Sequence, residues 1–142
     1  MIERNKPIMT LIGFDFGTKS IGIAYGQMIT KTAKPLTTLK AIDGTPTWNE
    51  IQKIIKEWLP DALVVGMPYN MDGTSSDISK EAKKFGTLLK EKFKRPVYFM
   101  DERLTTREAR AQLLENKGLK HLTKKAIDAA SAKVILESFM NS

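Results

Sequence analysis

The sequence predicts an α/β protein, a five-stranded mixed sheet of order 3-2-1-4-5 with helices on both faces. Three observations point to it. The chain opens with three β-type segments joined by short links, which must pair antiparallel. After Asp43 the apolar spacing turns helical. Two further apolar runs, Ala62 to Gly66 and Val97 to Asp101, are each set off by helical stretches. Right-handed crossovers then place the fourth strand beside the first and the fifth beside the fourth.

Residues 1–7 carry no long apolar core and are expected to be loosely ordered, at the edge of one domain spanning residues 1–142. The first strand runs from Met9 to Phe16. Alternation sets Ile12, Phe14 and Phe16 on one face and Leu11, Gly13 and Asp15 on the other, so Asp15 shares a face with residues expected to be covered. A buried carboxylate is costly unless a metal ion or a bonded partner compensates it. Gly17 makes the turn into a second strand, Ser20 to Gln27, and a third follows from Thr30 to Ile42. Asp43-Gly44-Thr45-Pro46 is a turn. Thr47-Trp48-Asn49-Glu50 has capping-box form, and Ile51, Ile54, Ile55, Trp58 and Leu59 recur at helical spacing until Pro60.

Ala62-Leu63-Val64-Val65-Gly66 is wholly apolar, the profile of a strand covered on both faces. The polar loop from Asn70 to Ser76 leads to a helix from Ser79 to Phe93 with Ala82, Phe85, Leu88 and Leu89 inward. The fifth strand, Val97 to Asp101, follows Arg95-Pro96. Thr105-Thr106-Arg107-Glu108 opens another helix towards Gly118, and a last helix runs from Thr123 to about Phe139. On that helix Asp128 lines up with Ala132, Ile135 and Phe139, a stripe expected to face the protein.

In sheets of this kind ligands bind beyond the carboxyl ends of the parallel strands. Those ends carry Asp15, the Gly66-Met67-Pro68-Tyr69-Asn70 loop, and Asp101-Glu102-Arg103, with Asp128 able to reach the same edge. The chain has 142 residues, no cysteine and one histidine, His121. Thiolate zinc sites, two-histidine metal sites and thiol nucleophiles are therefore excluded, and His121 is expected at the surface. Carboxylates alone suit a hard cation, Mg²⁺ or Mn²⁺, completed by water and substrate phosphate. A net charge of +7 favours a polyanionic partner. Together these point to metal-dependent phosphodiester hydrolysis. No apolar stretch reaches membrane-spanning length, so a cytoplasmic protein with no membrane partner is expected.

Four segments also carry a family resemblance. Phe14-Asp15-Phe16-Gly17-Thr18-Lys19-Ser20-Ile21-Gly22, Val65-Gly66-Met67-Pro68 with Asn70-Met71-Asp72-Gly73-Thr74, Asp101-Glu102-Arg103-Leu104-Thr105-Thr106, and Asp128-Ala129-Ala130-Ser131-Ala132 resemble the YqgF/RuvX-type nucleases. That family is associated with pre-16S rRNA processing and, earlier, with Holliday junction resolution. The resemblance implies an RNase H-like fold, a role in ribosome biogenesis, and catalysis by Asp15, Glu102 and Asp128 holding one or two Mg²⁺ or Mn²⁺ ions. Related bacterial resolvases carry an acid near the end of the fourth strand, where this chain has Gly66-Met67-Pro68. Glu102 would take that part. Asp101 is the adjacent alternative ligand, and alternation sends it to the opposite face from Glu102.

Thr18, Lys19, Asn70, Arg103, Arg107 and Arg110 are the candidates for holding nucleic acid. The basic stretch from Lys80 to Arg95 is by default a solvated helix face, and Trp48 and Trp58 are expected in the core or an interface. The expected partner is RNA, in particular precursor rRNA, or structured DNA, with a ribosomal or transcription-machinery partner and a monomer or homodimer as further expectations. The rival functions are a junction-resolving DNase, an actin-like or sugar-kinase-like ATPase suggested by Asp15-Phe16-Gly17-Thr18, and a non-catalytic rRNA-binding module.

Overall fold

The computed structural model describes residues 7–68, 72–102 and 124–142. Its strands are β1 (Thr10–Phe16), β2 (Ser20–Gln27), β3 (Thr32–Ile42), β4 (Thr45–Pro46), β5 (Ala62–Met67) and β6 (Val97–Asp101), with helices α1 (Trp48–Trp58), α2 (Asp77–Phe93) and α3 (Lys124–Met140). They form one six-stranded sheet of order β4-β3-β2-β1-β5-β6. β1 to β4 pair antiparallel as a meander, and β5 and β6 add on parallel to β1. The expected order is present with one strand more than expected. Asp43 and Gly44 both take positive φ, at 49° and 79°, and fold the presumed turn back as a hairpin in which Ile42 pairs with Thr45. Two residues are too few to show alternation, which is why the sequence hides β4.

The sheet separates two apolar layers. On one face Ile12, Phe14 and Phe16 of β1 pack with Ile51 and Ile55 of α1 and with Ala82, Phe85 and Leu89 of α2. Phe14 meets Phe85 edge-on at 5.4 Å between ring centroids, an arrangement that adds ~0.5–1.5 kcal/mol to simple burial. Trp48 stacks on Phe85 at 5.6 Å and Trp58 lies 4.6 Å from Tyr25, so both tryptophans serve the packing of this layer. On the other face Leu11, Ala62 and Val64 pack under Ala132, Ile135, Leu136 and Met140 of α3. All six residues of β5 are buried, as a strand covered on both faces requires.

Local details differ from expectation in three places. Thr47 precedes α1 but its side chain makes no capping bond; its carbonyl instead accepts from Glu50 and Ile51. Helix α2 begins at Asp77, because Ser76 and Ser79 form a reciprocal capping box, so Ser79 is the third residue of the cap rather than the first of the helix. Leu88, expected inward, is 41% exposed, whereas Gly86 takes a buried position where its missing side chain makes room for Phe99. Among the described residues no helix is long and apolar enough to cross a membrane.

Candidate active site

Three acids are brought to one face and one end of the sheet by separate devices. Asp15 is the penultimate residue of β1, on the α3 face with Leu11 and Gly13, and pairs across the ladder with Gly22 of β2. Gly22 is covered by helix α3: a Cβ there would run into the main-chain carbonyl of Asp128. Gly13, Gly26 and Gly66 likewise lie under Leu136, Met140 and Ile135. Four glycines on three strands therefore let α3 settle close to the sheet, and this close approach sets Asp128 beside the strand that pairs with Asp15.

Ser20, the first residue of β2, donates from its hydroxyl to Asp128 Oδ2 at 2.7 Å. The two residues are 108 positions apart in sequence. From the sequence, Ser20 reads only as the first residue of the second strand, with no link to Asp128. The signal was nonetheless present: a small hydroxyl at the start of β2 and two positions from Gly22, opposite a helix turn of alanines and serine.

Glu102 follows the last residue of β6. It is only 8% exposed, its Oε1 oxygen is enclosed, and the residue retains polar interactions. A Cβ on Gly66 would collide with that same Oε1, so the bare Cα of Gly66 forms the wall against which the carboxylate lies. Asp101 pairs in register with Met67, whose side chain belongs to the α1 and α2 layer. Asp101 and Glu102 thus occupy opposite faces, and Glu102 is the one on the face of Asp15 and Asp128.

Thr18 and Lys19 are exposed at the β1–β2 turn, immediately beyond Asp15. Their carbonyls accept hydrogen bonds from Gly44 and Ala41, both at 2.9 Å, which ties the turn to the β3–β4 hairpin. Asp72 Oδ1 accepts from the amide and hydroxyl of Thr74, at 3.0 and 2.6 Å, a local turn in the loop before α2. Asn70, Arg103, Arg107, Arg110, His121 and the expected helix from Thr105 lie outside the described residues.

Two other charged groups are structural. Asp61 Oδ2 accepts from the amides of Met9 and Thr10 at 2.8 and 3.1 Å, which secures the start of β1 at the opposite end of the sheet. Arg95 donates from Nε to the Pro60 carbonyl at 2.7 Å and from Nη1 to the Phe93 carbonyl at 3.0 Å. It bridges the segments that follow α1 and α2, which separates it from the solvated lysines of the same basic stretch.

The donor chemistry is all oxygen, which suits a hard cation such as Mg²⁺ or Mn²⁺. Among the described residues no three acidic or histidine side chains gather closely enough to enclose an ion by themselves. A hard cation does not require that. It characteristically binds one or two carboxylates and keeps several waters or phosphate oxygens in its shell. The enclosed carboxylate of Glu102 on the glycine wall, with Asp15 and Asp128 on the same face, fits such a partial ligand set.

The sequence profile of the RuvX family, described as "Holliday junction resolvase", matches residues 9–142. A protein of Aeromonas salmonicida named "Putative pre-16S rRNA nuclease" is 54% identical over 131 residues, covering 92% of this chain and 94% of the relative. One of the same name from Shewanella denitrificans is 55% identical over 133 residues, covering 94% of each. Among solved structures, RuvC of Thermus thermophilus in complex with Holliday junction substrate superposes with a TM-score of 0.56 at 16% identity, over 93% of both chains. The fowlpox virus Holliday junction resolvase gives 0.55 at 16% identity, over 94% of this chain and 98% of that one. These two likenesses concern the fold, which is that of the RuvC-like, RNase H-type resolvases.

Proposed function

Because this chain belongs to the RuvX family, we propose that it is a nuclease that processes the 5′ end of precursor 16S rRNA in the cytoplasm, with Asp15, Glu102 and Asp128 as its catalytic carboxylates. What supports the site assignment is that these acids, from β1, the end of β6 and α3, lie on one face at the carboxyl ends of the parallel strands. Their relatives' name supplies the substrate, and a net charge of +7 supports a polyanion.

Asp15 is the central ligand in this proposal, since it lies between the strands that carry or contact the other two. Glu102 and Asp128 flank it. A bound Mg²⁺ or Mn²⁺ ion would activate water and offset the charge on the phosphoryl oxygens. Thr18 and Lys19, exposed on a turn tied from behind to the hairpin, would take phosphates of the bound strand in this proposal. Arg103, Arg107, Arg110 and Asn70 extend that set on sequence grounds.

A junction-resolving DNase is the second reading, favoured by the family description and by the fold shared with resolvases. One experiment separates the two. Wild type and Asp15→Asn are incubated with a precursor 16S leader, an unrelated single-stranded RNA and a four-way DNA junction, with Mn²⁺ or with a chelator. Metal-dependent cleavage of the leader, absent in Asp15→Asn at unchanged thermal stability, supports the rRNA nuclease; symmetric cuts in the junction alone support the DNase. Full activity of Asp15→Asn on all three would remove Asp15 from the site.

A further inference from the structure

We infer that Ser20 is a positioning residue for Asp128, setting the orientation of that carboxylate towards the metal. The inference rests on the assignment of Asp128 as a ligand. Two restraints act on Asp128 from one strand. Gly22 fixes its main chain, because the carbonyl of Asp128 sits where a Cβ on Gly22 would be. Ser20, two residues earlier and on the same face of β2, fixes its side chain through the 2.7 Å bond to Oδ2. With the main chain and one carboxylate oxygen both held, the remaining rotation of the carboxylate is restricted.

Ser20 is itself anchored, since it pairs with Lys40 of β3 at the start of β2 and follows a turn held by the β3–β4 hairpin. A flexible donor could follow the carboxylate wherever it went; a donor on a paired strand cannot. The hydroxyl donates its hydrogen bond to Oδ2 from a fixed position, which holds the carboxylate in one orientation. Such outer partners of metal ligands typically change metal affinity 10- to 100-fold when removed.

Mn²⁺ binding, measured by electron paramagnetic resonance titration on the intact protein, tests this alongside cleavage and metal-free melting. Ser20→Ala is expected to weaken Mn²⁺ binding about tenfold, and Ser20→Thr, which keeps the hydroxyl, to restore most of it. In an Asp128→Asn background Ser20→Ala should add little, because the two act as one unit. Wild-type Mn²⁺ affinity in Ser20→Ala, with Asp128→Asn clearly weakened, overturns the positioning role and leaves the site assignment standing. Unchanged Mn²⁺ affinity in Asp128→Asn and Asp15→Asn alike overturns the assignment itself. A loss in Ser20→Ala that Ser20→Thr does not restore, with metal-free melting lowered in both, marks Ser20 as a packing residue and also overturns the inference.

Discussion

Gly22 of β2 and Asp128 of α3 are in contact through main chain alone: the glycine Cα faces the aspartate carbonyl with no room for a methyl group between them. Backbone cannot rotate away as a side chain can. Gly22→Ala should therefore lift the start of α3 off the sheet, with a loss of about 1–3 kcal/mol in stability and of nearly all cleavage. Chemical denaturation and the leader-cleavage assay read the two effects, and wild-type values in both would show that the helix does not need this close approach.

The same substitution at Gly66 meets a different obstacle, the tips of the Glu102 and Ile135 side chains. Both can move, so Gly66→Ala should fall at the low end of overpacking costs, about 1 kcal/mol. Its effect should fall on cleavage, because the atom that must move is the Glu102 carboxylate. A variant that is destabilised yet fully active per folded molecule would separate Gly66 from the site.

Lys19 is exposed on the turn beyond Asp15. Lys19→Ala should leave stability within about 0.5 kcal/mol of wild type while weakening RNA binding and reducing the dependence of log affinity on log salt by about one. Filter binding over a range of salt concentrations measures this; an unchanged slope would take Lys19 out of the phosphate contacts.

Arg95 should behave in the opposite sense. Its Nε and Nη1 hydrogen bonds to the carbonyls of Pro60 and Phe93 are made by a charged donor, and such bonds contribute about 1.5–3 kcal/mol. Arg95→Ala is expected to lower the melting temperature without altering the salt dependence of RNA binding. Arg95→Lys should rescue little, since an ammonium cannot reproduce the planar fork.

Much of this was legible in the sequence, for physical reasons that differ by element. β1 alternates strictly, so the face of Asp15 could be assigned from residues 11–16 alone, and Ile12, Phe14 and Phe16 do fill the layer opposite to it. The Asp128-Ala132-Ile135-Phe139 stripe faces the sheet because helical spacing leaves it no alternative. The alternation rule likewise separates Asp101 from Glu102. What stayed hidden depends on contacts between distant segments or on patterns too short to register. β4 spans two residues, the cap of α2 uses Ser79 where Glu or Gln is the commoner third residue, and Leu88 gives up the inner face to a glycine that admits Phe99. Arg95 looked like one charge in a basic run because its carbonyl partners lie at the ends of other elements. Ser20 offered only a small hydroxyl two positions from Gly22 as a sign of its partner, which arrives 108 residues later.

That separation bears on when the protein acquires its chemistry. Chain emerges from the ribosome N-terminus first, at roughly 5–20 residues per second, so β1 to β4 and α1 are available well before α3. Contacts of long sequence separation are also the slow ones to form in folding. A nascent chain can therefore complete most of the sheet and the layer beneath α1 and α2 while the surface over Gly13, Gly22 and Gly66 stays bare and Asp15 has no Asp128 across from it. The last helix works as a timer: Asp128 joins the face that carries Asp15 only once the chain through α3 has emerged, when α3 covers the glycines and Ser20 finds its acceptor.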